Sequence, residues 1–463
     1  MARQLALTLD RSLRRPLSAQ VREAIRAAVE DGTLKPGTRL PSSRQLAADL
    51  AVSRSVLVEA YEQLTAEGYL LTRRGSGSVV AEGRGPALRA PVRSMLAPVD
   101  GPAAAGVCDL RTGNGVVRSF PRQEWLRSAA AVVRQSSTDA FGYGPPAGLP
   151  ELREVLAGYL GRVRGVRTTA ENVMVTAGFA QGLAMLCQVL RARGITRIAV
   201  EDPGHPGERE FIARAGLEVV AVPVDGQGLR VEELARSEVR AVLATPGNHF
   251  PTGVPLAPER RALLADWARQ VDGYVIEDDF DGAFLPAGRA RPALQALAPD
   301  RVVHAGTVSK VLAPSLRLGW LAGPPVLMAE LEAFRAGLDI GCPGLDQLTL
   351  AHFIDTGALD RHLRRLRRDL SNRRGQLHGA LGPVPGISLS GLDGGLQAYV
   401  RLPAGADENA LVTAAARGSV LLRGASHYAM TPGPPGLVLN YAGPPPSALT
   451  QALAVLADLC RRL

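Results

Sequence analysis

The chain has 463 residues, 46% of them hydrophobic, which is too long for one ordinary domain and apolar enough for a large buried core. A formal charge of +9 and an isoelectric point near 9.8 exclude an acidic, self-solvating chain and point to an anionic partner, for which nucleic acid and phosphate ligands both qualify. Cys108, Cys187, Cys342 and Cys460 are scattered with neither a metal-ligand spacing nor a disulfide framework, and neither a signal-peptide core nor a run approaching the roughly 20 apolar residues of a membrane span is present, so a soluble cytoplasmic protein is expected.

Residues 17–31 place Val21, Ile25, Ala28 and Val29 at helical spacing, and Gly32 with Pro36-Gly37 stops the run. In Leu40-Pro41-Ser42-Ser43 a serine can cap a second helix through Arg44-Gln45-Leu46-Ala47 to Leu50. Ser53 caps a third, with Val56, Leu57, Ala60, Tyr61 and Leu64 on one face and Gly68 at its end. Tyr69-Leu70-Leu71-Thr72 and Ser78-Val79-Val80-Ala81 then flank Arg73-Arg74-Gly75-Ser76-Gly77, a β-hairpin with a basic, glycine-rich tip. Three helices and a hairpin predict a winged helix-turn-helix over residues 1–81. Up to residue 80 there are twelve Arg or Lys against eight Asp or Glu. Arg54 and Ser55 open the recognition helix, whose first residues reach base edges in this motif. Arg39 and Arg44 flank the preceding helix start, where backbone amides favour phosphate. The segment LPSSRQLAADLAVSRSVLVEAYEQLTAEGYL resembles the DNA-binding domain of GntR-type bacterial regulators, over roughly residues 10–81. That resemblance implies contacts to a double-stranded DNA operator from Arg44, Ser53, Arg54, Ser55 and the wing around Gly77, with Arg73 and Arg74 on phosphate.

Residues 82–107 are rich in Pro, Ala, Gly and Arg without apolar periodicity, which predicts a flexible linker of roughly 80 Å when extended. Such slack lets two domains rearrange or cross between subunits. From 108 to 463 strands alternate with helices, the pattern of an α/β layered domain. The strand Glu171–Thr176 runs into Ala177-Gly178-Phe179-Ala180-Gln181, opening a helix to Leu190, and a glycine at that turn lets backbone amides approach an anion. The apolar run Tyr274-Val275-Ile276 leads into Glu277, Asp278, Asp279 and Asp281, a crowding that a shared cation would relieve. Lysine occurs only at Lys35 and Lys310 among 53 basic residues. Where arginine fills every other basic position, a lysine marks chemistry that needs a primary amine, such as condensation with an aldehyde. Lys310 follows the short apolar run Val302–Gly306, read as a buried strand, and stands among Thr307, Ser309 and Arg317, donors suited to a phosphate dianion. A phosphate and an aldehyde together describe pyridoxal 5'-phosphate (PLP).

The stretch HAGTVSKVLAPSLRLGW, with Gly306-Thr307-x-Ser309-Lys310, Pro314 and Arg317-x-Gly319, resembles the lysine segment of fold-type I aminotransferases. The resemblance implies a Schiff base at Lys310, phosphate held by Thr307, Ser309, Arg317 and the turn at Gly178-Phe179, and Asp278 on the ring nitrogen, with Asp279 as the alternative. His205 stands two after Pro203, where the family stacks an aromatic ring on the pyridine. There are departures. Phe250 replaces the Asn before Pro251-Thr252-Gly253 that bonds the cofactor phenolate, leaving Asn248 or His249 for that contact, and Phe280 replaces a tyrosine. Val438, in Leu437-Val438-Leu439-Asn440-Tyr441-Ala442, stands where amino-acid aminotransferases carry the arginine that clamps a substrate carboxylate, and Arg423 is the nearby candidate to replace it. Arg361–Arg374 reads as a solvated basic helix face at a domain or subunit junction, and the chain from near Gly386 as a small α/β subdomain.

A winged helix joined by a long linker to an aminotransferase-like domain is the architecture of the MocR branch of GntR regulators, and the resemblance covers nearly the whole chain. It implies a transcription regulator with PLP as effector or sensor cofactor, acting on vitamin B6 or amino-acid and amine metabolism. It also implies a homodimer whose DNA-binding domain packs on the partner subunit. The alternative is a working aminotransferase with an appended DNA-binding module, against which Val438 and Phe280 count, since they replace groups that catalysis would need.

Overall fold

The computed structural model describes residues 9–11, 15–73, 77–82, 104, 106–113, 115–285 and 291–463. The chain divides into two units, Met1–Gly101 and Pro102–Leu463. Apart from residues 82, 104, 106 and 107, the expected linker over 82–107 lies outside the described residues.

The first unit holds helices α1 (Leu17–Glu30), α2 (Ser43–Asp49) and α3 (Arg54–Ala66), followed by strands β1 (Leu70–Arg73) and β2 (Gly77–Val80). Val21, Ile25 and Val29, one turn apart on α1, meet Leu46 of α2 and Leu57, Ala60, Tyr61 and Leu64 of α3 in one apolar core, closed by Leu70 and Val80 of the hairpin. The hairpin register pairs Leu70 with Val80 and Arg73 with Gly77. Ser42 caps α2 by accepting from Gln45 N at 3.2 Å. Ser53 occupies the cap position of α3 in an extended conformation, yet its hydroxyl lies 2.8 Å from that of Ser55 and bonds no backbone amide of the helix.

The second unit opens on β3 (Cys108–Asp109). Strands β4 (Val173–Thr176), β5 (Arg197–Asp202), β6 (Glu218–Asp225), β7 (Gly228–Leu229), β8 (Ala241–Ala244), β9 (Tyr274–Asp278), β10 (Val302–Thr307) and β11 (Gly319–Ala322) build one sheet in the order β4-β11-β10-β9-β8-β5-β6-β7. The pairings among β6, β5, β8, β9 and β10 are parallel, while β11 runs antiparallel between β10 and β4. Helices cover both faces, so β4, β8, β9 and β10 are buried at every position and are mainly apolar. Alternation along β9 sends Val275 to one core, with Ala199, Val242 and Val302, and Ile276 to the other, with Val200, Leu243 and Ala305. In such a sheet ligands bind outside the carboxyl ends of the strands, and those ends carry Thr176, Asp202, Asp278 and Thr307.

A small subdomain completes the unit. Strands β12 (Ser388–Ser390), β13 (Gln397–Arg401), β14 (Val420–Leu421), β15 (Arg423–Gly424) and β16 (Gly436–Asn440) follow in the chain, and four of them form an antiparallel sheet in the order β12-β13-β16-β15. The remaining strand, β14, pairs in parallel with β3. The helix Ala358–Leu381 that precedes it corrects the expectation of a purely solvated basic face. Arg361, Arg364, Arg365 and Arg368 are exposed, but Arg373 is buried and donates to Asp369 and to the carbonyls of Tyr441 and Pro444, and Arg367 donates to Ala283 O. No helix among the described residues is long and apolar enough to cross a membrane.

The helix Pro150–Arg164 is tied to the loop after β9 by a bidentate pair, in which Arg164 Nε and Nη2 donate to Asp279 Oδ2 and Oδ1 at 2.7 and 2.8 Å. Both side chains are buried, so removing the arginine leaves an uncompensated charge in a low dielectric. Arg164→Ala is therefore expected to cost about 3–5 kcal/mol of stability by denaturant titration. Replacing both partners with apolar residues should cost less than the single change. A loss below about 1 kcal/mol for Arg164→Ala would mean that the pair matters as little as a surface ion pair.

Candidate functional site

In the first unit the residues expected on DNA share an exposed character. Arg39, Arg44, Ser53, Arg54, Ser55 and Gly77 are all exposed, and Arg54 and Ser55 form the first turn of α3. Arg44 and Arg54 make no ion pair among the described residues, whereas Arg22 and Arg26 on α1 are both drawn to Glu67. The arginines at the two helix starts thus keep their charge for a partner, while those on α1 spend it inside the unit. Gly77 turns the wing with φ +80°, and a Cβ there would approach the Arg39 guanidinium to 3.3 Å, so glycine lets Arg39 lie against the wing. Arg74 lies outside the described residues, and Arg73 is described only as the last residue of β1.

In the second unit a cavity of about 240 Å³ opens at the carboxyl ends of the strands, and Phe179, His205, Asp278, Thr307, Ser309, Lys310 and Arg317 line it. One end is built to hold an anion. Gly178 caps the helix Phe179–Ala192 with φ +83°, and a Cβ on it would come within 3.0–3.2 Å of the Arg317 guanidinium. Glycine therefore lets Arg317, itself in the left-handed conformation at φ +48°, lie over the helix N-terminus, where free backbone N–H groups and the helix dipole favour negative charge. The Thr307 and Ser309 hydroxyls stand 2.9 Å apart beside it. Lys310 is three residues past the tip of β10, and its Nζ donates to Gly113 O at 2.9 Å. Burial lowers the Lys310 pKa, against the pull of Asp278, Glu208 and Asp281, which favours the free amine that attacks carbonyls.

The four acids at the end of β9 and just beyond it are sorted by their partners. Glu277 accepts from Leu294 N at 2.7 Å and Gln295 N at 3.0 Å; burial works against its ionisation, but His304 beside it and these amides hold it down at about 2. Asp279 is spent on Arg164, and Asp281 accepts from Asn248 Nδ2 at 2.6 Å. Burial pushes Asp281 up to about 7 in spite of that bond. Only Asp278 among the four lines the cavity, and its Oδ1 is buried with no hydrogen-bond partner. Burial, then Glu208, Asp279 and Asp281, raises its pKa well above the usual carboxylate range. Of Asp278 and Asp279, Asp279 already has its cation in Arg164, while Asp278 lines the cavity.

Other expectations fare differently. His205 lines the cavity and caps the helix Pro206–Arg214, its Nδ1 accepting from Gly207 N at 3.1 Å, which leaves the proton of the neutral ring on Nε2. Surrounding protein, then Lys310, Arg209 and His427, holds this imidazole down at about 4, so at neutral pH it offers an uncharged ring. Asn248 and His249 are turned away from the cavity, Asn248 to Asp281 and His249 to Thr252 Oγ1 at 2.7 Å. Phe250 and Phe280 line the wall in their stead. Val438 is buried against Tyr399, Ala425 and Tyr428, and Arg423 stands directly across from it in the ladder without lining the cavity. Sequence reasoning missed Glu208, Gly113, Gln397 and Asn440, all in the cavity wall. For Glu208 a signal existed, its place three residues after His205 at a helix start. For the others none did, since they arrive from distant loops and strands. Gly115 was also missed, and only glycine fits there, because a Cβ would sit 2.8 Å from the Lys310 backbone.

Two family models match this chain: bacterial regulatory proteins of the gntR family over residues 17–80, and aminotransferase class I and II over residues 108–456. The HTH-type pyridoxine biosynthesis transcriptional regulator PdxR of Corynebacterium glutamicum is 34% identical over 96% of this chain and 95% of its own length. The probable rhizopine catabolism regulatory protein MocR of Rhizobium meliloti is 32% identical over 96% and 94%. Among solved structures, a multiple substrate aminotransferase from Thermococcus profundus superposes with a TM-score of 0.71 at 23% identity, covering 78% of this chain and 92% of that one. A kynurenine aminotransferase from Pyrococcus horikoshii gives 0.70 at 24%, covering 77% and 91%. These two likenesses concern the fold alone. With both family models matched in this order and full-length relatives of the same build, the chain belongs to the MocR branch of the GntR family of bacterial transcription regulators, in which a winged helix-turn-helix is joined to an aminotransferase class I and II domain.

Proposed function

We propose that this regulator binds PLP at Lys310 and reads the cofactor's presence as a signal that alters its hold on operator DNA. The observation that carries the reading is the pairing of an unpartnered buried carboxylate oxygen, Asp278 Oδ1, with an amine and a set of anion donors in one cavity. When bound, PLP supplies an aldehyde that condenses with an amine and a ring nitrogen that carries a proton. The residues present fit it: Asp278 meets the ring nitrogen, His205 lies against the ring, Lys310 meets the aldehyde, and Thr307, Ser309, Arg317 and the Gly178-Phe179 turn hold the phosphate. Asn248 is withdrawn from this set, since its amide serves Asp281.

The rest of the wall separates regulator from enzyme. Phe250, Phe280, Leu396, Gln397 and Asn440 line it, and the cationic side chains among the lining residues are Lys310 and Arg317, both used by the cofactor. A substrate carboxylate would find no cation there, and a buried unpaired carboxylate costs several kcal/mol. PLP by itself is then the simplest signal. The relative from C. glutamicum is named for pyridoxine biosynthesis, which agrees with control of vitamin B6 metabolism by its product. Leu126, Val133, Phe141, Tyr143, Leu338 and Ile340 leave large apolar side chains in solvent, Tyr143 being 95% exposed, which supports a homodimer covering them. Exchange of the DNA-binding units between its subunits is part of the same proposal, and so is a cytoplasmic location.

Lys310→Arg keeps charge and fold but removes the only amine in the cavity wall, so the near-visible absorbance band formed with PLP should vanish along with any borohydride-trapped adduct. A trapped adduct at full yield in that variant would show that another group forms the bond. For DNA, Arg54→Ala should cost about 1–3 kcal/mol on the cognate duplex and little on a scrambled one, while Arg73→Ala and Arg74→Ala weaken both alike. Equal losses on both duplexes for Arg54→Ala would remove it from base readout. Light scattering on the same complexes should count two chains per DNA, and a single chain of 48.8 kDa would contradict the dimer.

A further inference from the structure

Asp278 is not alone in the cavity wall in lacking a partner. Glu208 stands in the first turn of the helix Pro206–Arg214, three residues after its cap His205, a spacing that sets both side chains on one helix face. Both line the cavity that holds Asp278 and Lys310. The Glu208 carboxyl makes no hydrogen bond or ion pair among the described residues. In contrast, Glu201 accepts from Thr245 Oγ1 at 2.6 Å, Asp279 from Arg164 and Asp281 from Asn248. Glu208 also bounds a second cavity of about 20 Å³, room for one water, whose wall carries Glu201, Thr245 and Arg209. It therefore stands between the cofactor cavity and a single-water pocket, and can exchange a proton with solvent through either.

The charges facing it are Glu201 from β5, Asp278 from β9, Lys310 after β10 and Arg209 on its own helix, with Asp279 and Asp281 behind Asp278. Burial and then Glu201 push the Glu208 carboxyl up to about 8, against Lys310 and Arg209. Glu208 in turn is the largest charge effect raising Asp278, after burial itself. Two carboxyls that line one cavity and act on each other titrate as a pair, so that ionising one makes the other harder to ionise.

We propose that Glu208 is a second carboxyl of the cofactor site, whose charge sets how firmly Asp278 holds a protonated ring nitrogen. The inference rests on the PLP reading above. With Glu208 protonated, the two carboxyls carry one negative charge facing the ring. Once Glu208 gives its proton to solvent they carry two, and a cation at the ring nitrogen is held more firmly. A ring with carbon in place of that nitrogen carries no such cation and gains nothing from the second charge. Glu208 acts through Asp278 and is a positioning residue.

The test compares PLP with its carbon-ring analogue by equilibrium dialysis against the full-length apo protein between pH 6.5 and 9.5. Both ligands form the same bond to Lys310, so the ratio of their Kd values cancels the titration of the lysine, and comparing the wild type with Glu208→Gln cancels the titration of the ring nitrogen itself. On passing from pH 7 to pH 9 the preference for PLP in the wild type should rise about tenfold relative to that in Glu208→Gln, the equivalent of about one pKa unit. Glu208→Asp, which keeps an acid, should restore the rise, and circular dichroism of each variant checks that loss of the rise is not loss of fold. The same pH dependence of the ratio in the wild type and in Glu208→Gln overturns the role of Glu208 while leaving PLP binding in place. Failure of the wild type to bind PLP at any pH overturns the cofactor reading and this inference with it.

Discussion

A carboxylate taken out of water without a hydrogen-bond donor or cation is one of the most costly things a protein can bury, and Asp278 Oδ1 is in that position. The surroundings deepen the cost, because Glu208, Asp279 and Asp281 all push against its charge. The sheet fixes the residue where it cannot escape: β9 is buried from Tyr274 to Asp278 and hydrogen-bonded to β8 and β10 on either side. Its neighbouring acids have partners of their own, Arg164 for Asp279 and Asn248 for Asp281, and Asp278 alone among the four acids at the end of β9 and just beyond lines the cavity.

The remainder of the site follows from strand order. Because β10 lies next to β9 in parallel, its tip brings Thr307, Ser309 and Lys310 beside Asp278, and β11 with β4 carries Arg317 and Gly178 to the far edge of the cavity. The DNA-binding unit uses charge by another rule. Arg44 and Arg54, at its helix starts, make no ion pair among the described residues, while Arg22 and Arg26 on α1 are drawn to Glu67. That division makes a charged surface specific, since neutralised arginines contribute nothing to phosphate attraction.

Much of this was legible in the sequence because the informative signals were local. Helix periodicity at Val21, Ile25 and Val29, the serine cap at Ser42 and the wing glycine Gly77 each declare themselves within a few residues. The solitary Lys310 stood out against an arginine background for the same reason. What sequence could not supply was the sorting of the acids, which depends on Arg164, more than a hundred residues upstream, reaching Asp279. Asn248 misled because proximity in a motif was taken for orientation, and its amide turns to Asp281. Arg373 misled likewise: an arginine-rich helix reads as solvated until two carbonyls near the C-terminus are found capping one of its guanidinium groups. Gln397 and Asn440, which pair across β13 and β16, reach the cavity only once the small subdomain is folded against it.

Whether PLP itself is the signal is decided by titrating a duplex selected from a random library with apo protein, with protein carrying PLP, and with PLP plus a panel of amino acids and amines. Fluorescence anisotropy reads the affinity in each case. PLP alone is expected to shift the Kd for DNA, and the amino acids to add little. A shift that arises only when an amino acid accompanies PLP would contradict the claim, and would make Arg423, across the ladder from Val438, the first residue to change.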